Sequence, residues 1–145
     1  MKTYSAKPAD IKRKWHEIDA TDKILGRLAT QVAKLLIGKH KAIFTRNQDT
    51  GDYVVVINAD KVRVSGDKMK QKMYYRHSGY PGGLKTTSLE DMMKAHPTRV
   101  IEHAVKGMLP HNRLGAQMYR KLRVYVGSTH PHPVQKEDAS KTVKN

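Results

Sequence analysis

Apolar positions along this chain follow two periods, and the switches between them mark its elements. Residues 15–20 alternate, with Trp15, Glu17 and Asp19 on one face and His16, Ile18 and Ala20 on the other. This predicts a first strand. From Ile24 the spacing turns helical: Ile24, Leu25, Leu28, Ala29, Val32, Leu35 and Leu36 form one stripe, with Arg27, Gln31 and Lys34 opposite. Thr21 or Asp22 can cap this helix, and Gly38 is placed to end it in a left-handed conformation. Residues 47–52 are a turn cluster. Tyr53–Ile57 is a short, β-branched, unbroken apolar run, which predicts a strand buried on both faces. Strand, helix and strand at this spacing predict a βαβ unit with parallel pairing and a right-handed crossover.

The second half is less regular. Val62 and Val64 alternate with Lys61 and Arg63, and Ser65-Gly66-Asp67 makes a turn. A further strand is predicted over 72–76, running into a loop to Lys85 that mixes Tyr, Gly and cations. Ser88 with Asp91 resembles a capping box and opens a helix over Leu89–Ala95, halted before Pro97. Pro97 suits the first turn of the next helix. There Val100, Ile101, Ala104, Val105 and Met108 form the apolar face, and Pro110 stops it. A last helix over 113–121 places Leu114 and Met118 inward and Arg113, Gln117, Arg120 and Lys121 outward. Residues 124–126 form a short final strand, and 128–145 an irregular tail. No internal repeat or second domain is visible, so 1–145 reads as one domain, with 1–14 as an extended basic arm.

Charge decides the class of partner. The 145 residues carry 28 Lys and Arg against 13 Asp and Glu, a net charge of +15. Like charge of that size opposes a compact state by self-repulsion, and a polyanion is the natural counterpart. The cations cluster. Residues 61–85 hold seven Lys or Arg against Asp67 alone, and residues 107–127 hold Arg113, Arg120, Lys121 and Arg123 with no acid. In the 74–85 loop, glycines permit close backbone approach, Tyr rings can stack on bases and cations find phosphates. Lys39, His40 and Lys41 follow Gly38, where they suit either a helix C-terminus or a phosphate. The candidate RNA-contacting residues are therefore Lys12, Arg13, Lys14, Arg27, Lys39, His40, Lys41, Lys68, Lys70, Lys72, Tyr75, Arg76, His77, Tyr80, Lys85, His111, Asn112, Arg113, Arg120, Lys121 and Arg123.

Catalytic readings find little support. The chain has no Cys, which excludes disulfides, thiol nucleophiles and Cys-ligated zinc. Its eight His residues lack the HxxxH-type spacing of a metal site, so no metal or cofactor is expected. The turn before the first helix lacks GxGxxG, and GxxxxGK[ST] and GxSxG occur nowhere. Asp19 and Asp60 as a Mg²⁺ pair for a nuclease make a thin case. A duplex-DNA architectural protein is the other alternative. No apolar run approaches the roughly 20 residues of a membrane span, and the polar N-terminus does not read as a secretory signal.

Several separated motifs then resemble one family. Val105-Lys106-Gly107-Met108-Leu109-Pro110-His111-Asn112-Arg113-Leu114-Gly115, with Tyr119-Arg120-Lys121-Leu122-Arg123-Val124-Tyr125, is similar to the signature of large-subunit ribosomal protein thirteen. Asp19-Ala20-Thr21, Leu25-Gly26-Arg27-Leu28-Ala29, Gly38-Lys39-His40-Lys41, Val56-Ile57-Asn58-Ala59, Tyr74-Tyr75-Arg76-His77-Ser78-Gly79, Gly82-Gly83 and Arg99-Val100-Ile101 resemble its bacterial branch. The resemblance implies an α/β fold of three layers, α/β/α, around a mainly parallel four-stranded sheet. It implies a non-catalytic role in the large ribosomal subunit: binding large-subunit rRNA early in assembly, beside neighbouring large-subunit proteins, on the cytoplasmic ribosome. For some members it implies binding of their own messenger RNA as well.

Overall fold

The structure is a computed structural model that describes residues 4–132. The first three residues of the expected arm and residues 133–145 of the expected tail lie outside that span. The predicted βαβ unit is present. Strand β1 (Trp15–Asp19) leads through helix α1 (Leu25–Ile37) to β2 (Tyr53–Ile57), and the two strands pair in parallel, Trp15 opposite Tyr53 and Asp19 opposite Ile57. α1 buries Leu25, Leu28, Ala29, Val32, Ala33 and Leu36, close to the apolar stripe of the sequence. Neither Thr21 nor Asp22 caps it. Its first N–H, on Leu25, donates instead to the Arg63 carbonyl at 2.9 Å, so a distant segment supplies the cap. Gly38 ends the helix at φ +87°, and a Cβ there would lie 2.6 Å from Thr50 Oγ1.

After β2 the chain passes through a 3₁₀ turn (Ala59–Lys61) and helix α2 (Lys68–Gln71) into strands β3 (Met73–His77) and β4 (Leu84–Ser88). Helices α3 (Leu89–Ala95), α4 (Pro97–Met108) and α5 (Arg113–Tyr119) follow, then β5 (Leu122–Val124). Ser88 caps α3 by accepting the Asp91 N–H, as its spacing predicted. β5 lies two residues earlier than expected because buried Leu122 pairs with Val54 in the sheet.

The expected four-stranded sheet is not found among the described residues. Parallel strands join in the order β1-β2-β5, and β3 pairs with β4 in a separate antiparallel hairpin. The reason lies in the side chains. Tyr53–Ile57 is apolar enough to be covered on both faces, whereas Met73–His77 is exposed except at Tyr74. A strand of that composition cannot enter the centre of a parallel sheet without burying Arg76.

The helices gather on the sheet face that presents Ile18, Val54 and Val56, forming one core with Leu28, Leu36, Val100, Ile101 and Val105. Fully burying side chains of this size contributes about 1.5–3 kcal/mol each. The opposite face is not roofed by a helix among the described residues, so the three-layer expectation holds on one side only. There Trp15 stacks on Tyr53 with ring centroids 4.5 Å apart, and His132 stacks on Trp15 at 4.9 Å. His130 Nε2 reaches Glu17 at 2.9 Å. Residues 128–132 are irregular as expected, yet they are packed against β1.

Candidate nucleic-acid interface

Two acids from the 47–52 turn organise the basic edge of the sheet. Asp52 is fully buried and accepts four donors: the Lys14 N–H at 3.0 Å, His16 Nε2 and His40 Nε2 at 2.9 Å each, and Lys41 Nζ at 2.5 Å. Burial pushes its carboxyl upward. The hydrogen bonds from His16, Lys41 and the Lys14 backbone, with the Lys41 charge, overcome this and hold it well below the usual carboxylate range. Asp49 takes Lys121 Nζ at 2.5 Å and lies 3.7 Å from the Arg13 guanidinium. Burial pushes the Lys121 ammonium below its usual range, and Asp49 opposes that shift.

This arrangement docks the N-terminal arm, which is not extended throughout. Pro8–Asp10 forms a 3₁₀ turn, Ala6 is buried, and the Lys12 carbonyl accepts Lys41 Nζ at 2.7 Å. Lys12, Arg13 and Lys14 are thereby held on the surface.

The β3–β4 hairpin sorts its residues onto two faces. Arg76 stands directly opposite Lys85, and Tyr74 opposite Thr87. Lys72 Nζ lies 5.5 Å from the Tyr74 ring centre, on the same side. Tyr74 anchors this face, its ring 5.6 Å from that of His103 on α4. The other face carries Met73, Tyr75, His77, Leu84 and Thr86, all exposed. His77 Nδ1 accepts the Gly79 N–H at 2.9 Å, which leaves Nε2 to carry the proton of the neutral ring. Tyr80 projects from the connecting turn, 77% exposed.

The third region is the joint between α4 and α5. Asn112 caps α5, its Oδ1 accepting the Gly115 N–H at 2.8 Å. Gly115 packs so tightly that an added Cβ would fall 1.8 Å from the Pro110 carbonyl oxygen. The joint holds His111, Arg113 and Arg120 exposed. The Pro110 turn also forms a ridge between two clefts, of about 430 and 500 Å³.

A family model described as "Ribosomal protein L13" matches residues 13–131, which span β1, the basic edge of the sheet, the β3–β4 hairpin and the joint. The chain belongs to the ribosomal protein L13 family. Among its relatives, the protein named large ribosomal subunit protein uL13 of Agathobacter rectalis is 62% identical over 95% of this chain and 97% of its own. Those of Symbiobacterium thermophilum and Dehalococcoides mccartyi are 58% and 57% identical, over 94% and 97% of this chain and 96% and 99% of theirs. The L13 family comprises structural, non-enzymatic proteins of the large ribosomal subunit.

For this L13-family chain the candidate residues divide in two. Lys121 does not point outward as its helical spacing suggested. It lies past the end of α5, is 6% exposed, and donates to Asp49 and, at 3.1 Å, to the Leu36 carbonyl. Lys41 and His40 are tied to Asp52, and Asn112 to its cap. Arg123 donates to the carbonyls of Arg120 and Leu122 but remains exposed. Lys12, Lys14, Arg27, Lys39, Lys68, Lys70, Lys72, Tyr75, Arg76, Tyr80, Lys85, His111, Arg113 and Arg120 present exposed side chains. Asp49 and Asp52 are the organising residues that sequence reasoning passed over. Their only signal was two acids set between a cationic run and a buried strand.

The same contacts bear on the chemical alternatives. His16, His40 and Asp52 place ligand atoms within 4.8 Å of one another, a grouping that linear spacing could not show. Both imidazoles address one carboxylate oxygen at hydrogen-bond distance, and Lys41 addresses the other, so the group is satisfied as a hydrogen-bonded cluster. Asp19 accepts the Asn58 amide and the Thr21 hydroxyl and N–H, which hold its carboxyl below the usual range. All three donors converge on Oδ1 and fix the turn after β1, which gives Asp19 a structural role. No helix among the described residues is long and apolar enough to cross a membrane.

Proposed function

We propose that this chain holds large-subunit rRNA on its docked basic arm, the cationic face of the β3–β4 hairpin and the α4–α5 joint. In this reading it does so early in subunit assembly and remains on the cytoplasmic ribosome beside neighbouring proteins. The observation that carries it is Arg76 directly opposite Lys85. Like charges facing each other across two strands destabilise the free hairpin. A phosphate lying between them reverses the sign of that interaction. Phosphate contacts of this kind position the protein, while exposed Tyr75, Tyr80 and His77 offer rings to unpaired bases. Several cationic segments on one rigid core suit a place where RNA helices meet.

The test is a salt titration of binding to large-subunit rRNA. Each phosphate contact contributes a log–log slope of about −0.7 to −0.9. Arg76→Ala is expected to weaken binding and flatten the slope by about 1, with the melting temperature unchanged or slightly raised as the repulsion from Lys85 is relieved. Lys121→Ala is the contrast: it strands buried Asp49 and lowers the melting temperature. A slope indifferent to salt, or equal preference for duplex DNA, refutes the reading.

A further inference from the structure

On the sheet face away from the helices, residues 128–132 return over β1 and reach the root of the basic arm. Trp15, Glu17, Tyr53 and Val55 share that face through the register of β1 and β2, and Val55 is fully buried. His130 meets Glu17 and His132 meets Trp15, so the returning segment runs antiparallel to β1, two residues for two. The direction of bonding is fixed at His130. Its Nδ1 accepts the His132 N–H at 3.3 Å, which leaves Nε2 to donate to Glu17 at 2.9 Å. His132 Nε2 is joined to the Tyr125 hydroxyl at 2.7 Å. The His132 and Tyr53 rings both stack on Trp15, tilted 15° and 14° from it. Trp15 directly follows Lys14, whose carbonyl accepts the Tyr53 N–H at 2.9 Å.

We infer that residues 128–132 are a strap that positions the RNA-contacting arm, with His132 as the positioning residue and the His130–Glu17 contact as its latch. The inference rests on the rRNA-binding reading above and adds to it a second clamp on the arm. Asp52 holds Lys14 and His16 from the helix side, and His132 holds Trp15 from the opposite side. The arm's root is thereby gripped at three successive residues. A cover needed only to bury Val55 would be apolar. This one sets a ring on Trp15 and spends its polar atoms on Glu17 and Tyr125, contacts that fix where the segment lies rather than merely exclude water. Lys12, Arg13 and Lys14 are successive cations that repel one another. Holding their backbone in place lowers the cost of binding an anion, because a cation already ordered loses less freedom on meeting a phosphate.

The chain has one tryptophan, so the fluorescence of Trp15 reports the strap directly. In the full-length chain, His132→Ala is expected to raise acrylamide quenching of that fluorescence and to speed trypsin cleavage after Lys12, Arg13 or Lys14. Affinity for deproteinised large-subunit rRNA is expected to fall about three- to tenfold, the scale of ordering one or two side chains on binding. His132→Phe keeps a ring on Trp15 and is expected to bind within about twofold of the unmodified chain. A double-mutant cycle with Lys12→Gln/Lys14→Gln decides whether the strap acts through the arm. With the arm neutralised, His132→Ala should cost less than about twofold further. Equal losses from His132→Ala in both backgrounds, or no loss in either, overturn the strap's role and leave the rRNA reading standing. A His132→Phe variant that binds as weakly as His132→Ala does the same. If the unmodified chain does not prefer large-subunit rRNA over duplex DNA, both readings fall together.

Discussion

Replacing Asp52 by Asn tests whether a buried acid holds the basic edge in place. The substitution preserves shape and removes one negative charge. In the native protein that charge faces Lys41, which is 16% exposed, together with His16, His40 and the Lys14 N–H. Breaking a buried ion pair typically costs about 3–5 kcal/mol, because the remaining charge stays buried without its partner. Asn keeps one acceptor oxygen, so Lys14 and Lys41 retain a weaker bond. Its NH₂ meets two imidazole nitrogens that must change tautomer to accept it. The expected loss is therefore about 2–3 kcal/mol. For a domain of this size, at roughly 3–4 °C per kcal/mol, the melting temperature falls by about 6–12 °C.

A second readout locates the damage. Lys41 ties the Lys12 carbonyl and the Thr50 carbonyl to Asp52, so loosening it releases the arm. Trypsin should then cut after Lys12, Arg13 or Lys14 faster in the variant than in the unmodified chain at 25 °C, well below either melting transition. Thermal melts at pH 7 and timed proteolysis suffice. A melting temperature within about 2 °C of the original, with unchanged cleavage, refutes the claim that Asp52 organises this edge.

Two further outcomes follow from the same contacts. The Asp52 carboxyl is depressed in the folded state, so its contribution is full above the unfolded value of about 3.9 and is lost as pH falls through the folded value; the difference in melting temperature between the unmodified chain and Asp52→Asn should therefore shrink steadily below about pH 4, and a constant difference would contradict it. Gly115→Ala drives a Cβ into the Pro110 carbonyl and should destabilise the domain by about 2–4 kcal/mol in a urea titration, whereas a neutral result would show that the joint relaxes easily.

The uneven legibility of this chain has a physical cause. The βαβ unit and helices α3, α4 and α5 could be read because each carries a local signature: a β-branched run, an apolar stripe, a Ser88 cap, a Pro97 start and a Pro110 stop. Those signals act within a few residues. The errors fell where the deciding contact is distant in sequence. Arg63 caps α1 in place of Thr21 or Asp22. Thr86 and Lys85 form a strand only because Tyr75 and Arg76 stand opposite. Lys121 turns inward only because Asp49 awaits it across 72 positions. The same limit shaped the list of RNA-contacting residues, since composition counts every cation alike. The fold divides them. Cations near Asp49 and Asp52 are held within the protein's own framework, whereas Arg76 and Lys85 face each other with no acid between them. A basic protein of this kind needs both sets. Its few acids fix where the backbone of the basic segments runs, and the cations left over determine where a phosphate is welcome.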